Sequence, residues 1–263
     1  EGVIGKTHSP RQKGMLILQF LQAGVSLIDN PFTYPDITVT MDLGKELETI
    51  DIFKNVNTFD DTKLLPKEEK FVEIVKQEKS EKRPVIVYVT DTGSTNADRD
   101  LQPRLKKVCD MSGIKSAVLR SNTTKVNKRT EWIEDQINNK HVDVIILNMD
   151  LVKVGVNLTI TPTIIFYQLN WSLFTLNQAA RRHWRIGQTQ ECRTYYLAYQ
   201  DTFQESRALL VAKKNRATEM LNGKISSDGL SQMLGDEGDI LSVLLHDIQS
   251  NHKITDAERE TYF

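Results

Sequence analysis

Pro84-Val-Ile-Val-Tyr-Val89 is an unbroken, β-branched apolar run, bounded by a polar Lys-Ser-Glu-Lys-Arg turn before it and Thr90-Asp-Thr-Gly-Ser94 after it. A strand with one wet face alternates in polarity. A short run with no polar position reads as a strand covered on both faces, as in a parallel sheet layered by helices. Four further strand-like segments follow: Ser116-Ala-Val-Leu119, Val142 to Leu147, Thr163 to Tyr167, and Glu191 to Ala198 with Tyr195, Tyr196 and Leu197. Helical spacing lies between them. Phe71, Ile74 and Val75 make a stripe to about Glu78, Leu101 to Met111 reads as a helix, and Lys125 to Asn138 carries Arg129, Ile133 and Ile137 four apart. This alternation over residues 64–200 predicts an α/β fold with a mostly parallel sheet flanked by helices. Right-handed crossovers then bring Thr90–Ser94, Ser121–Thr124 and Asn148–Asn157 to one edge, the strand ends where open α/β sheets bind ligands.

The flanks differ. Residues 9–23 have helical spacing through Met15, Leu18 and Leu21, opened by Ser9-Pro10. Residues 34–61 show mixed turn signals, with Ile37-Thr-Val-Thr40 as a short strand inside a surface insertion or linker. After Thr202 the apolar positions, from Phe203 through Leu209, Leu210 and Leu221 to Leu245, fall in helical stripes broken at Gly223 and Gly235. The expected division is 1–63 entry helix and linker or insertion, 64–202 α/β lobe, and 203–263 helical tail. The chain opens Glu1-Gly2 without methionine and is read as a fragment.

Composition excludes more than it identifies. With 34 basic and 35 acidic residues, no global field draws the chain onto nucleic acid, so any such contact is a local patch. No run of about 18 apolar residues is present, so no membrane partner is expected. Cys109 and Cys192 have no metal-like spacing, which fits a reducing, cytoplasmic or nuclear compartment and no metal site in this chain. Gly5-Lys6-Thr7 lacks the earlier glycine and preceding strand of a phosphate loop.

The chemistry concentrates in Gln178-Ala-Ala-Arg-Arg-His-Trp-Arg-Ile-Gly-Gln188. On a helix, Arg182 and Arg185 point to one side, Gln178 joins them four residues earlier, and Gly187 offers a stop or a close backbone approach. Paired guanidinium groups suit a phosphate and its transition-state charge. The plain alternative is a basic amphipathic helix with Ala179 and Ile186 buried and the arginines solvated. Trp171 and Trp184 are expected to pack as core aromatics rather than stack on bases.

QxxxRxxRIGQ resembles motif VI of the Swi/Snf-like DNA translocases, in the superfamily-two helicases. The segment from Val142-Asp-Val-Ile-Ile-Leu147 through Gly155-Val-Asn-Leu158 to Trp171 resembles their motif V and the strand after it. The resemblance implies a second, C-terminal RecA-like motor lobe, whose partner is an N-terminal lobe carrying the phosphate loop and the acidic magnesium box. It implies ATP and Mg2+ as cofactors of the full-length protein, held mainly by that other lobe, and double-stranded DNA as partner. Arg185 is then the finger on the transferred phosphoryl group and Arg182 a γ-phosphate or lobe-locking contact. Gln178 and Gly155 approach the nucleotide. Thr90, Thr92 and Ser94, in the motif IV loop, and Lys153 and Asn157, in motif V, meet DNA, a plain turn being the alternative for the hydroxyls.

The match has gaps. Lys153 stands where the family has glycine, Trp171-Ser-Leu where it has Trp-Asn-Pro, and the usual upstream aspartate is missing. The Lys153 and Trp-Asn-Pro departures support one other reading, a degenerate lobe that binds nucleic acid or protein without hydrolysis. An RNA- or DNA-unwinding helicase lobe of the same superfamily is a further alternative, to which the Arg-Ile-Gly-Gln ending is less similar than to the duplex-translocating branch.

Overall fold

A computed structural model describes residues 20–42, 47–54, 59–93, 97–152, 155–170, 172–221 and 254–262. Its centre is a five-stranded sheet in which every pairing is parallel. The strands are β3 (Val85–Val89), β4 (Ser116–Leu119), β5 (Val144–Asn148), β6 (Thr163–Phe166) and β7 (Arg193–Tyr196), in the order β4-β5-β3-β6-β7. Burial follows that order. The three inner strands are buried almost throughout, and the edges β4 and β7, which carry Ser116, Arg193 and Thr194, are half-buried. The unbroken apolar runs are therefore the inner strands, as a two-faced layer requires.

Alternate side chains feed two cores. Val85, Val87, Val89, Val144, Ile146 and Ile165 pack against α1 (Pro66–Ser80) and α2 (Gln102–Met111). Ile86, Tyr88, Ile145, Leu147, Ile164 and Phe166 pack on the other face. There they meet α3 (Arg129–Asn138), α4 (Leu173–Ala180) and α5 (Phe203–Leu221). Burying each Val, Leu or Ile contributes roughly 1.5–3 kcal/mol.

The stretch at 34–61 holds a hairpin outside this sheet, β1 (Ile37–Asp42) antiparallel to β2 (Leu47–Phe53). The expected short strand at Ile37–Thr40 is part of β1. Residues 20–26 are helical, followed by a 3-10 turn, Leu27–Asp29. Of the tail, α5 and a short α6 (Asp256–Tyr262) are described; 222–253, with the glycine breaks, lie outside the described residues.

The start of α1 is fixed by Pro66 in its first turn and by Glu68, whose Oε2 accepts the Leu65 N–H at 2.8 Å. Arg104 of α2 then grips Glu68 with Nε and Nη2, both at 2.7 Å, and donates to the carbonyls of Asp61 and Lys63. Its guanidinium lies 4.1 Å from the Phe32 ring centroid. Lysine has one ammonium and cannot make this fork. Arg104→Lys is expected to cost about 2 kcal/mol, readable as a lowered urea midpoint with unchanged slope.

Candidate nucleotide and nucleic-acid site

The two segments singled out from sequence dock onto each other. Helix α4 begins at Ser172, whose Oγ accepts the Thr175 N–H at 3.3 Å, while Asn170 Oδ1 accepts the Ser172 N–H at 2.8 Å. Serine caps a helix as well as asparagine does, so this part of the Trp-Asn-Pro departure keeps the helix start intact. Trp171 itself lies outside the described residues.

The expectation that Arg182 and Arg185 share a helix face is corrected. Helix α4 ends at Ala180, and residues 181–187 form successive turns, closed by Gly187 at φ +99°. The cause is tertiary. The Leu158 N–H donates to the Arg182 carbonyl at 3.3 Å, and Gln188 Nε2 donates to the carbonyls of Thr159 at 2.9 Å and His183 at 3.0 Å. These bonds to the 156–159 segment replace the helical ladder. Gln188 is thus the clamp of the turn, a role the sequence does not reveal.

The arginines then diverge in burial. Arg182 is buried, its Nη1 3.5 Å from the Val156 carbonyl; Arg185 is exposed. Burial first, then the charge of Arg185, pushes the Arg182 pKa down. Arg185 has no ion pair or side-chain hydrogen bond among the described residues. Gln178 is half-buried on α4. The amphipathic alternative fares unevenly: Ala179 is buried, but Ile186 is fully exposed and Arg182 is not solvated. Trp184, expected to pack, is 70% exposed beside Arg185. His183 is buried, and burial together with the Arg83 charge lowers its pKa to about 4, so it is neutral near pH 7.

In the motif V segment, Val156 and Leu158 are buried anchors, and Gly155 before them and Asn157 between them are exposed. Gly155 has φ +72°, and among the described residues nothing lies within 4 Å of where a Cβ would stand. Asn157 Oδ1 accepts the Thr159 N–H at 3.3 Å and braces the loop. Arg129 of α3, buried, holds the preceding turn through Nη1 to the Leu151 carbonyl at 2.6 Å. Lys153 lies outside the described residues.

The loop after β3 is built from strand ends. Asn148, closing β5, donates to the Thr90 carbonyl at 3.2 Å. Gln168, after β6, accepts from the N–H groups of Thr90 and Asp91, both at 3.0 Å, and lies 3.2 Å from the Thr90 hydroxyl. Thr90 therefore spends its hydroxyl internally, and Thr92 is half-buried. The loop turns at Gly93, φ +68°, where a Cβ would come within 3.0 Å of Asp100 Cβ. Ser94 lies outside the described residues.

Among the described residues no cluster of His, Cys, Asp and Glu could hold a metal ion, and no helix is long and apolar enough to cross a membrane. The arrangement can offer an anion one exposed guanidinium backed by a buried one, on a turn cross-tied to a loop with bare backbone.

Comparison with known proteins places this geometry. Residues 66–187 match the family model described as "Helicase conserved C-terminal domain". Human "Chromatin-remodeling ATPase INO80" is 27% identical over 134 residues, 50% of this chain and 8% of that protein. The Saccharomyces cerevisiae "DNA repair and recombination protein RAD26" is 36% identical over 87 residues, 33% of this chain and 8% of that protein. The matched stretch thus spans about 8% of these relatives' length. The fold resembles the crystal structure of the C-terminal part of the Fun30 ATPase domain, with TM-score 0.54 and 19% identity over 75% of this chain and 58% of that one.

Proposed function

We propose, from the premise that residues 66–187 are the C-terminal helicase domain of a Swi/Snf-like superfamily-two ATPase, that this chain is half of an ATP-driven double-stranded DNA motor. In this reading Arg185 reaches across a cleft to the γ-phosphoryl group of ATP held by an N-terminal lobe. Arg182 locks the turn and contributes charge behind it. Gln178 and Gly155 approach the nucleotide, and Thr92 and Ser94 of the loop after β3, held by Thr90, join Lys153 and Asn157 of motif V in meeting the DNA backbone. The division into 1–63, 64–202 and 203–263 belongs to the same reading, as does an intracellular, cytoplasmic or nuclear site of action.

The observation that carries it is the exposed Arg185 guanidinium on a turn that also holds the buried Arg182 and is cross-tied to the 156–159 segment. Fixed positive charge in such a turn favours a seated anion. The polyphosphate of ATP fits that site, while Mg2+ is assigned to acidic residues of the other lobe. Bound ATP supplies the transferable phosphoryl group; this lobe supplies fixed positive charge where negative charge develops. The exposed Trp184 and Ile186 beside Arg185 fit a surface that the other lobe covers.

The test is ATP turnover by the full-length parent, alone and with double-stranded DNA, single-stranded DNA or RNA. Stimulation by duplex DNA is expected, and none from residues 1–263 alone. Turnover by this chain alone would end the half-site reading. Absence of turnover in a parent with an intact first lobe would support the non-hydrolysing binding module, and stimulation by single strands or RNA the unwinding helicase.

A further inference from the structure

We propose that Gln168 is a positioning residue that fixes the loop after β3 and makes its conformation depend on how helix α5 and residues 25–29 are seated. What that loop contacts rests on the function proposed above; the coupling itself does not.

Gln168 is buried with both ends of its amide in use. Its Oε1 holds Thr90 and Asp91, and its Nε2 donates to Asp29 Oδ2 at 3.1 Å and Asp91 Oδ2 at 3.0 Å. Asp29 in turn accepts from Lys67 Nζ at 2.9 Å, with both side chains almost wholly buried. Lys67 also donates to Gln204 Oε1 of α5 at 2.8 Å, and Gln204 Nε2 donates to the Val25 carbonyl at 2.7 Å. Ser26 bonds Asp91, and Arg207 of α5 is close enough to Asp29 and Asp91 to feel both charges. One buried polar chain therefore runs from the loop through β6 and the start of α1 to α5 and the entering segment.

An amide is the group this position needs. It accepts two backbone N–H bonds on one side and donates to two carboxylates on the other. A carboxylate there would face Asp29 and Asp91 with like charge in a low-dielectric site. Buried networks of this kind hold one arrangement when every member is satisfied and lose it when one is removed. Displacing α5 opens the Lys67–Gln204 link, and the disturbance reaches Thr90 through Asp29 and Gln168 without crossing solvent.

Amide hydrogen exchange on the full-length parent tests this, beside the DNA concentration giving half-maximal ATP turnover. Gln168→Leu is expected to speed exchange at the Thr90 and Asp91 amides by about tenfold or more. Gln204→Ala, which touches neither residue, is expected to speed the same amides by roughly threefold or more and leave those of β5 unchanged. Both variants are expected to raise the half-saturating DNA concentration by about tenfold and to hold turnover at saturating DNA within about twofold. Wild-type exchange at these amides in Gln204→Ala would overturn the coupling; in Gln168→Leu it would overturn the positioning. Should Gln168→Leu fail to fold, Gln204→Ala decides alone. Altered exchange with unaltered DNA response would overturn the loop's part in DNA binding. A wild-type protein blind to DNA would instead remove the function proposed above and leave the exchange result standing.

Discussion

Arg185→Ala in the full-length parent is expected to lower DNA-stimulated ATP turnover by about a thousandfold or more, with the thermal midpoint within about 1 °C of wild type. The stability half follows from exposure: the side chain has no partner among the described residues, so its loss leaves no hole and no orphaned group. The catalytic half follows from timing. A guanidinium that meets the phosphoryl group only as charge builds lowers the barrier rather than the binding energy, so kcat falls and the KM for ATP moves little. Arg185→Lys is expected to recover only a small part, because a point charge cannot replace a planar fork. Arg182→Ala makes the contrast. It removes a buried side chain beside Val156, so activity and stability are expected to fall together. Turnover of Arg185→Ala within tenfold of wild type would remove the finger assignment.

The second large effect is structural. Glu78, near the end of α1, is wholly buried and accepts from Thr163 Oγ1 at 2.5 Å and Arg83 Nε at 2.6 Å on one oxygen. Tyr195 Oη at 3.0 Å and Arg193 Nη1 at 3.1 Å bind the other. This carboxylate ties α1 to the starts of β6 and β7, and its removal strands the buried Arg83 charge. Glu78→Ala is expected to cost about 3–5 kcal/mol, a fall in thermal midpoint of roughly 10 °C or more.

The same group sets a pH dependence. Burial works against its ionised form, but the bonds from Thr163, Arg83, Arg193 and Tyr195 outweigh it and hold its pKa below the usual 4.5. The unfolded chain then binds this proton more readily, so the stabilisation is complete above pH 4.5 and is lost as pH falls through the lower, folded value. His183 acts in the same direction over a higher window. Its pKa of about 4 lies below the ordinary 6.5, so the unfolded chain takes up its proton first and stability declines between those values. A urea midpoint measured from pH 7 to 3.5 is expected to fall in two stages, and Glu78→Gln to flatten only the lower. A midpoint independent of pH below 6.5 would refute both assignments.

How much of this was legible depends on the reach of each interaction. Val85–Val89, Val144–Leu147 and Ile164–Phe166 announced themselves as unbroken apolar runs, the pattern of strands buried on both faces. The end of α4 did not. Gln178, Arg182 and Arg185 fit helical spacing, no breaker precedes Gly187, and the bonds that end the helix come from Leu158 and Thr159. Trp184 was read as core on size alone, yet it sits on the turn those bonds create. Gln168 was not visible as a site residue, because its partner Asp29 lies 139 residues away and no local pattern joins them. The site's ingredients were visible as residue types, and their grouping was set by contacts that only the fold supplies.

Strand order also bears on how the chain is born. The first strand of the large sheet to be synthesised, β3, is the middle one, and its neighbours β5 and β6 arrive about 55 and 75 residues later. At a ribosomal pace of about 5–20 residues per second, β3 waits several seconds as an unpaired apolar ribbon before β5 reaches it. Parallel pairings must also wait for their crossovers to close. A wholly apolar strand of this lobe is thus the one left longest without a partner, and a nascent chain stalled between residues 89 and 144 would be the form most in need of a chaperone.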